Sequence, residues 1–196
     1  MIMENSLRNS LSVGKSTIGT HFTFCDPDIA ELIGDTGLFD YAEFCAEYSV
    51  LDMNNLYHMA RAAQCANLPL MIKLDQESQG FWAQAALGAG FKSILFSDIR
   101  TPDDIDICHK IIRPETPQIG GKMGIKIRRP SLSSYAPNKY LADLESTLFC
   151  IMLEKKDAID NIDLGVRHFC IGWDRFILQA SLVKMGEGLR KLTESI

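Results

Sequence analysis

Apolar residues fall into two kinds of stretch along this chain. Short, nearly continuous runs occupy 15–24, 39–47, 68–75, 92–98, 122–128, 147–154 and 168–174, and read as seven strands. Between them lie stretches with apolar residues three or four apart, which predict helices over 27–33, 51–66, 80–87, 102–112, 138–145, 156–162 and 176–192. Leu51, Leu56, Met59, Ala60 and Ala63 form one such stripe. Asp26 suits an N-cap, and Thr101 followed by Pro102 and two aspartates suits another. Gly34 and Gly37 break the first of these helices, and Gly88 and Gly90 end the third.

Strand and helix alternate, which implies parallel strands joined by right-handed crossovers. The runs are apolar throughout rather than alternating, as expected when both faces of a sheet are covered. No strand is followed by GxGxxG or GxxxxGK[ST], so a nucleotide-binding open sheet loses its strongest signature. The expected fold is therefore α/β, a TIM-barrel-like (β/α) barrel forming one domain over residues 1–196.

Composition narrows the function classes. The chain has 196 residues, 46% of them hydrophobic and 23% charged, enough for one globular domain with a core. With a net charge of −5 and no basic run beyond Arg128–Arg129 and Lys155–Lys156, a nucleic-acid partner is not expected. Residues 1–16 lack the apolar core of a signal peptide, and no run approaches bilayer length, so the expectation is a cytoplasmic chain without a membrane partner. The six cysteines show no CxxC spacing and read as buried reduced thiols.

Candidate chemistry sits at the strand ends. Glu47, Asp75, Asp98, Glu154 and Asp174 each stand at or just past the C-terminal end of an apolar run. In parallel α/β folds those ends share one crevice. Clustered carboxylates repel, and Mg²⁺ or Mn²⁺ with its preference for oxygen ligands would neutralise them. The competing reading is that Asp75, Asp98 and Asp174 cap the helices that follow. Glu is a poor cap, which makes Glu154 the strongest metal-ligand candidate.

Lys73 lies inside an apolar strand and must face a polar mouth or pair with an acid; it is a candidate for stabilising developing negative charge. His21 lies in the first strand, where it would face a barrel interior. His58 and His109 fall in helices, and His168 begins the seventh strand. No two histidines stand at ligand spacing, so a zinc site is not expected.

The run from 18 to 24 followed by DPDIAELIGDTGLFDYAEF, then LPLMIKLD, LGAGFKSILFSDIRTPDD, LFCIMLEKKDAIDNID and HFCIGWD, resembles the HpcH/HpaI aldolase family, also grouped with citrate-lyase β-type enzymes. The resemblance spans nearly the whole chain. It implies an oligomeric TIM barrel and Mg²⁺-, Mn²⁺- or Co²⁺-dependent lyase chemistry. In that chemistry a 2-keto-4-hydroxy acid is cleaved to pyruvate and an aldehyde, the metal acting as Lewis acid.

By the same resemblance Glu154 is the metal-binding glutamate, with Asp98 or Asp174 assisting. Lys73 stands where the family has an arginine, which keeps the charge but loses the bidentate fork. Glu47, Met152 and Gly172 become substrate contacts, and Tyr48 a catalytic or substrate-contacting group; Arg129 is a further substrate contact by its place after the fifth strand. The family's Glu-His-Gly-Pro, whose histidine is the base, is replaced by Glu47-Tyr48-Ser49-Val50. Met152 replaces a glutamine, and Gly88 an aspartate that supports the histidine. The chain also looks short by one βα unit, roughly fifty residues against a typical barrel. An opened barrel leaves two edges, which predicts strained closure or a homo-oligomer that seals the gap. A catalytically silent paralogue with a binding or assembly role is the alternative function.

Overall fold

The computed structural model describes residues 5–126, 136–152 and 168–193. Six strands, β1 (Thr17–Phe22), β2 (Tyr41–Cys45), β3 (Leu70–Leu74), β4 (Ser93–Phe96), β5 (Leu148–Ile151) and β6 (His168–Trp173), form one sheet in the order β5-β4-β3-β2-β1-β6. Every pairing is parallel. Seven α-helices accompany them among the described residues: α1 (Ser6–Ser12), α2 (Pro27–Asp35), α3 (Met53–Cys65), α4 (Gln79–Ala89), α5 (Pro102–Ile112), α6 (Pro137–Glu145) and α7 (Asp174–Thr193); the helix expected over 156–162 lies outside them.

From β1 to β5 the chain steps always in one direction across the sheet, and β6 then returns to the free side of β1. Right-handed crossovers that never reverse direction keep their helices on one face, which is the winding of a barrel and not of a doubly wound sheet.

One expected strand does not form in its described residues. The run at 122–128 forms no strand in its described part; Met123 makes a single bridge with Pro114. This corrects the expected seven strands to six among the described residues. Gly121 and Gly124 flank the bridge, and glycine in so short a run weakens a strand. Helix α1 falls where no helix was expected. Asn5 caps it by accepting from the Arg8 backbone N–H, while its side-chain amide donates to the Lys92 carbonyl at 2.9 Å. The helix thereby places Leu7 against Tyr41 and Met71.

The other helix signals act as their chemistry requires. Asp26 caps α2, and Thr101 and Asp104 form a reciprocal capping box on α5. Gly88 is an interior residue of α4, which corrects the expectation that it ends the helix; Gly90 alone ends it, with φ of 119°, a conformation open to glycine.

The sheet has two chemically different faces. Phe22, Phe44, Ile72, Ile94 and Phe96 point into the main core with Leu56 and Met59 of α3 and Ala83 and Ala86 of α4. The alternate residues Tyr41, Met71, Leu95, Leu148 and Cys150 form a smaller cluster on the opposite face. That opposite face also carries Glu43, Cys45 and Lys73, polar residues that an apolar run conceals. Gly19 is needed on this face: a Cβ there would lie 2.2 Å from the Tyr41 ring.

Of the five cysteines described in full, none is in a disulfide. Cys45 and Cys108 are buried and Cys25 and Cys150 half-buried, whereas Cys65 is exposed, which corrects the expectation of burial there. No helix among the described residues is long and apolar enough to cross a membrane.

Candidate functional site

β2 ends at Cys45, and the chain turns through one 3₁₀ turn, Ala46–Tyr48. The Ser49 hydroxyl fixes this turn, lying 2.6 Å from the Thr23 carbonyl and 2.7 Å from the Cys45 carbonyl. The turn bends Glu47 back over β3, where Lys73 is the register partner of Cys45. The Glu47 carboxylate stands 2.7 Å from the Lys73 ammonium, whose side chain is 8% exposed. Burial alone would lower the Lys73 pKa. The Glu47 hydrogen bond, with the Cys45 and Tyr48 groups beside it, outweighs burial and holds Lys73 above the ordinary lysine value.

Tyr48 lies over the same ammonium, 5.1 Å from nitrogen to ring centroid, a cation–π distance. The positive charge of Lys73 pulls the phenol pKa down, but burial and Glu47 exceed it, and the net direction is upward. Tyr48 therefore stays protonated near neutrality and is a donor rather than a base.

Deeper on the same face, His21 of β1 is the register partner of Glu43 of β2, and its Nδ1 lies 2.9 Å from a Glu43 carboxylate oxygen. Hydrogen bonding to Cys45 and Glu43 overcomes the opposing effect of burial and raises the His21 pKa to about 9. Trp173 of β6 meets His21 edge-on at 5.4 Å between ring centroids. The pairing of β1 with β6 shifts register here: Thr20 faces Ile171 and His21 faces Trp173, so Gly172 is the extra residue of a bulge. The bulge re-aims Trp173 toward the cavity.

His21, Glu43, Tyr48, Lys73, Leu95, Ile151, Met152 and Trp173 line a cavity of about 450 Å³. It opens on the side of the sheet away from the main core, near the C-terminal strand ends. Of the sequence candidates, Lys73, Tyr48 and Met152 line it, Glu47 is paired to Lys73, and Gly172 forms the bulge beside it. Glu154 and Arg129 lie outside the described residues.

The other strand-end acids are engaged elsewhere, which corrects the expectation that all share one mouth. The Asp174 carboxylate accepts from the Thr23 N–H at 2.8 Å, the Thr23 hydroxyl at 3.0 Å, and the Phe24 and Arg175 N–H groups at 2.8 Å each. It ties the loop after β1 to the start of α7. Asp98 sits after β4 with φ of 54° and pairs with Arg100. Asp75 accepts from the Ser78 N–H at 3.0 Å and the Ser78 hydroxyl at 2.6 Å, holding the turn before α4. None of these three lines the cavity. Asp75 and Asp174 take backbone donors and Asp98 takes the Arg100 side chain, while Ser78 and Thr101 stand at the N-caps of α4 and α5, so the capping alternative does not hold for Asp75 and Asp98.

The residues missed in the sequence are Glu43 and Cys45. Their signal is a polar atom at every second position of YAEFC, opposite a histidine on the neighbouring strand. The pairing of β1 with β2 brings them together.

No protein-family model and no curated protein matches the sequence. Solved structures do. The citrate synthase SbnG superposes over 97% of this chain and 100% of its own, at 15% identity and a TM-score of 0.69. An HpcH/HpaI aldolase/citrate lyase family protein from Burkholderia cenocepacia J2315 covers 95% of this chain and 99% of its own, at 17% identity and a TM-score of 0.67. The chain has the HpcH/HpaI aldolase fold. Macrophomate synthase, at 11% identity, shares it with a TM-score of 0.74 over 98% of this chain and 93% of its own. The cavity of Lys73 and Tyr48 lies near the C-terminal strand ends, the side on which parallel α/β sheets form their crevices.

Proposed function

We propose that the chain is a divergent HpcH/HpaI aldolase-type carbon–carbon lyase acting on a small 2-oxo acid. The observation that carries this reading is the Lys73 ammonium, buried, protonated and open to a strand-end cavity, with Glu47 behind it and the Tyr48 phenol beside it. A fixed cation in a site walled by Leu95, Ile151 and Trp173 suits the carboxylate of a keto acid and the enolate formed when its C3–C4 bond breaks. Lys73 would bind and hold that negative charge. Tyr48 would donate a hydrogen bond to a substrate oxygen. The apolar walls would exclude water, strengthening both interactions.

The Mg²⁺ or Mn²⁺ (or Co²⁺) that this reading implies would supply Lewis-acid polarisation of the keto oxygen when bound at Glu154. Asp98 and Asp174 do not fit as its further ligands, because their carboxylates are taken up away from the cavity. No step is assigned through them.

The same proposal includes a cytoplasmic location and a (β/α) barrel short of one unit, its gap sealed by a second copy. From Arg175 to Glu187 every residue of α7 is exposed, among them Phe176, Ile177, Leu178, Leu182, Val183 and Met185. An apolar helix face of that length supports self-association.

The test is pyruvate release from 4-hydroxy-2-oxo acids in the presence of Mg²⁺ or Mn²⁺. Release by wild type and its loss in Lys73→Ala supports the lyase. No release with any metal, together with unchanged melting on adding pyruvate or oxalate, supports the silent paralogue instead. One observation favours that second reading: Tyr48, held protonated, stands in place of the base.

A further inference from the structure

A carboxylate, an imidazole and a thiol meet on the inner face of the sheet, apart from Asp75, Asp98 and Asp174. Glu43 and Cys45 are two residues apart on β2 and so share a face; His21 lies directly across from Glu43 on β1. One ligand atom from each of the three lies within 4.8 Å of the other two. A tetrahedral zinc shell, with bonds of about 2.0–2.3 Å, spaces its ligand atoms roughly 3.5 Å apart. Modest side-chain rotation on fixed strands brings the three to that spacing.

Charge permits an ion here. Glu43 and Cys45 are 8% and 0% exposed, and Lys73 on the same face is already paired with Glu47. A divalent cation bound by one carboxylate, one thiolate and a neutral imidazole leaves the cluster neutral, as the His21–Glu43 pair is without it, so binding adds no net charge to this buried face. The donor set excludes Mg²⁺, which takes oxygen ligands, and suits Zn²⁺ or Co²⁺. The cavity is lined by His21 and Glu43, so a fourth position on the metal would face it.

The geometry points to a Zn²⁺-class binding site formed by His21, Glu43 and Cys45, with an open coordination position facing the cavity. Two protons leave on binding: the one His21 holds against the Glu43 carboxylate, which frees the imidazole nitrogen, and the thiol hydrogen of Cys45; Glu43 binds as the carboxylate it already is.

Co²⁺ added to the chelator-treated full chain tests this directly. One equivalent is expected to give a thiolate-to-cobalt charge-transfer band in the near ultraviolet, with tetrahedral visible bands, and Zn²⁺ to bleach them. Cys45→Ser is expected to abolish the charge-transfer band, and His21→Gln or Glu43→Gln to weaken Co²⁺ binding at least tenfold. Cys65→Ser, at an exposed cysteine, and Glu154→Gln are expected to keep the band. No band in wild type, or a band that survives Cys45→Ser, overturns the site, as does its loss in Glu154→Gln. Should Cys45→Ser fail to fold, X-ray absorption on zinc-loaded wild type decides: one sulfur among nitrogen and oxygen neighbours supports the assignment, and a shell without sulfur overturns it.

Discussion

Glu47 reaches from the turn after β2 to put its carboxylate 2.7 Å from the ammonium of Lys73 on β3. The ammonium is nearly buried and the carboxylate about one-fifth exposed, so the pair is worth more than a surface ion pair and less than a fully buried one. Glu47→Gln leaves an underpaired cation and is expected to destabilise the fold by about 1–3 kcal/mol. Lys73→Met, which removes the charge and keeps the stem, is expected to cost less. Urea melts of the two variants check this; equal stability of wild type and Glu47→Gln would mean that the pair holds nothing in place.

The His21 imidazole gives the metal-free protein a pH signature. Cys45 and Glu43 of β2 raise its pKa to about 9, with Trp173 of β6 stacked edge-on and the charged Lys73 of β3 on the same face. A folded value above the unfolded 6.5 means that the protonated form stabilises the fold. That contribution is complete below about pH 6.5, and it is lost as pH rises through 9. It is on the order of 3 kcal/mol at most. Chelator-treated wild type is therefore expected to lose stability between pH 6 and 10 more steeply than His21→Gln. Parallel curves for the two proteins would refute the elevated value.

Much of this was legible in the sequence, and the failures have physical causes. Asp26 and Thr101 announce their helices because capping is local. Lys73 stands out because a lysine inside an apolar run needs a reason. The acids were harder. A carboxylate at a strand end can face the crevice or cap the next helix, and Asp75 and Asp174 take nearby backbone donors. Glu43 and Cys45 vanish into an apolar run because a two-residue period matters only once the second face is known to be polar. Their meeting with His21 depends on strand order and register, which local spacing does not encode.

Asp174 separates the two meanings of a strand-end acid. Thr23, Phe24 and Arg175 donate to its carboxylate, so its work is to hold the β1 loop against the first turn of α7. Asp174→Ala is expected to cost about 1–2 kcal/mol, the range of a lost helix cap. Divalent-metal affinity of the folded variant is expected to be unchanged. Thermal melts with and without metal read both quantities. A large loss of metal stabilisation with little change in the metal-free melt would make Asp174 a ligand after all.

Helix α7 bears on assembly. Its apolar side chains are half-exposed, with Phe176 at 59%, Leu182 at 55% and Met185 at 60%, and a groove of about 400 Å³ separates it from Ile29, Leu32 and Ile33 of α2. A single chain leaves that surface in water at roughly 25 cal/mol per Å², and a second copy seated on α7 would recover much of it. Wild type is expected to run as a dimer or larger species by size-exclusion chromatography with light scattering. Leu182→Asp, which places a charge in the middle of the apolar stretch without touching the cavity, is expected to shift it to monomer. Its far-ultraviolet circular dichroism is expected to keep the native form. A monodisperse wild-type monomer with the stability of an ordinary domain would remove the second copy from the proposal and leave α7 to cover its own chain.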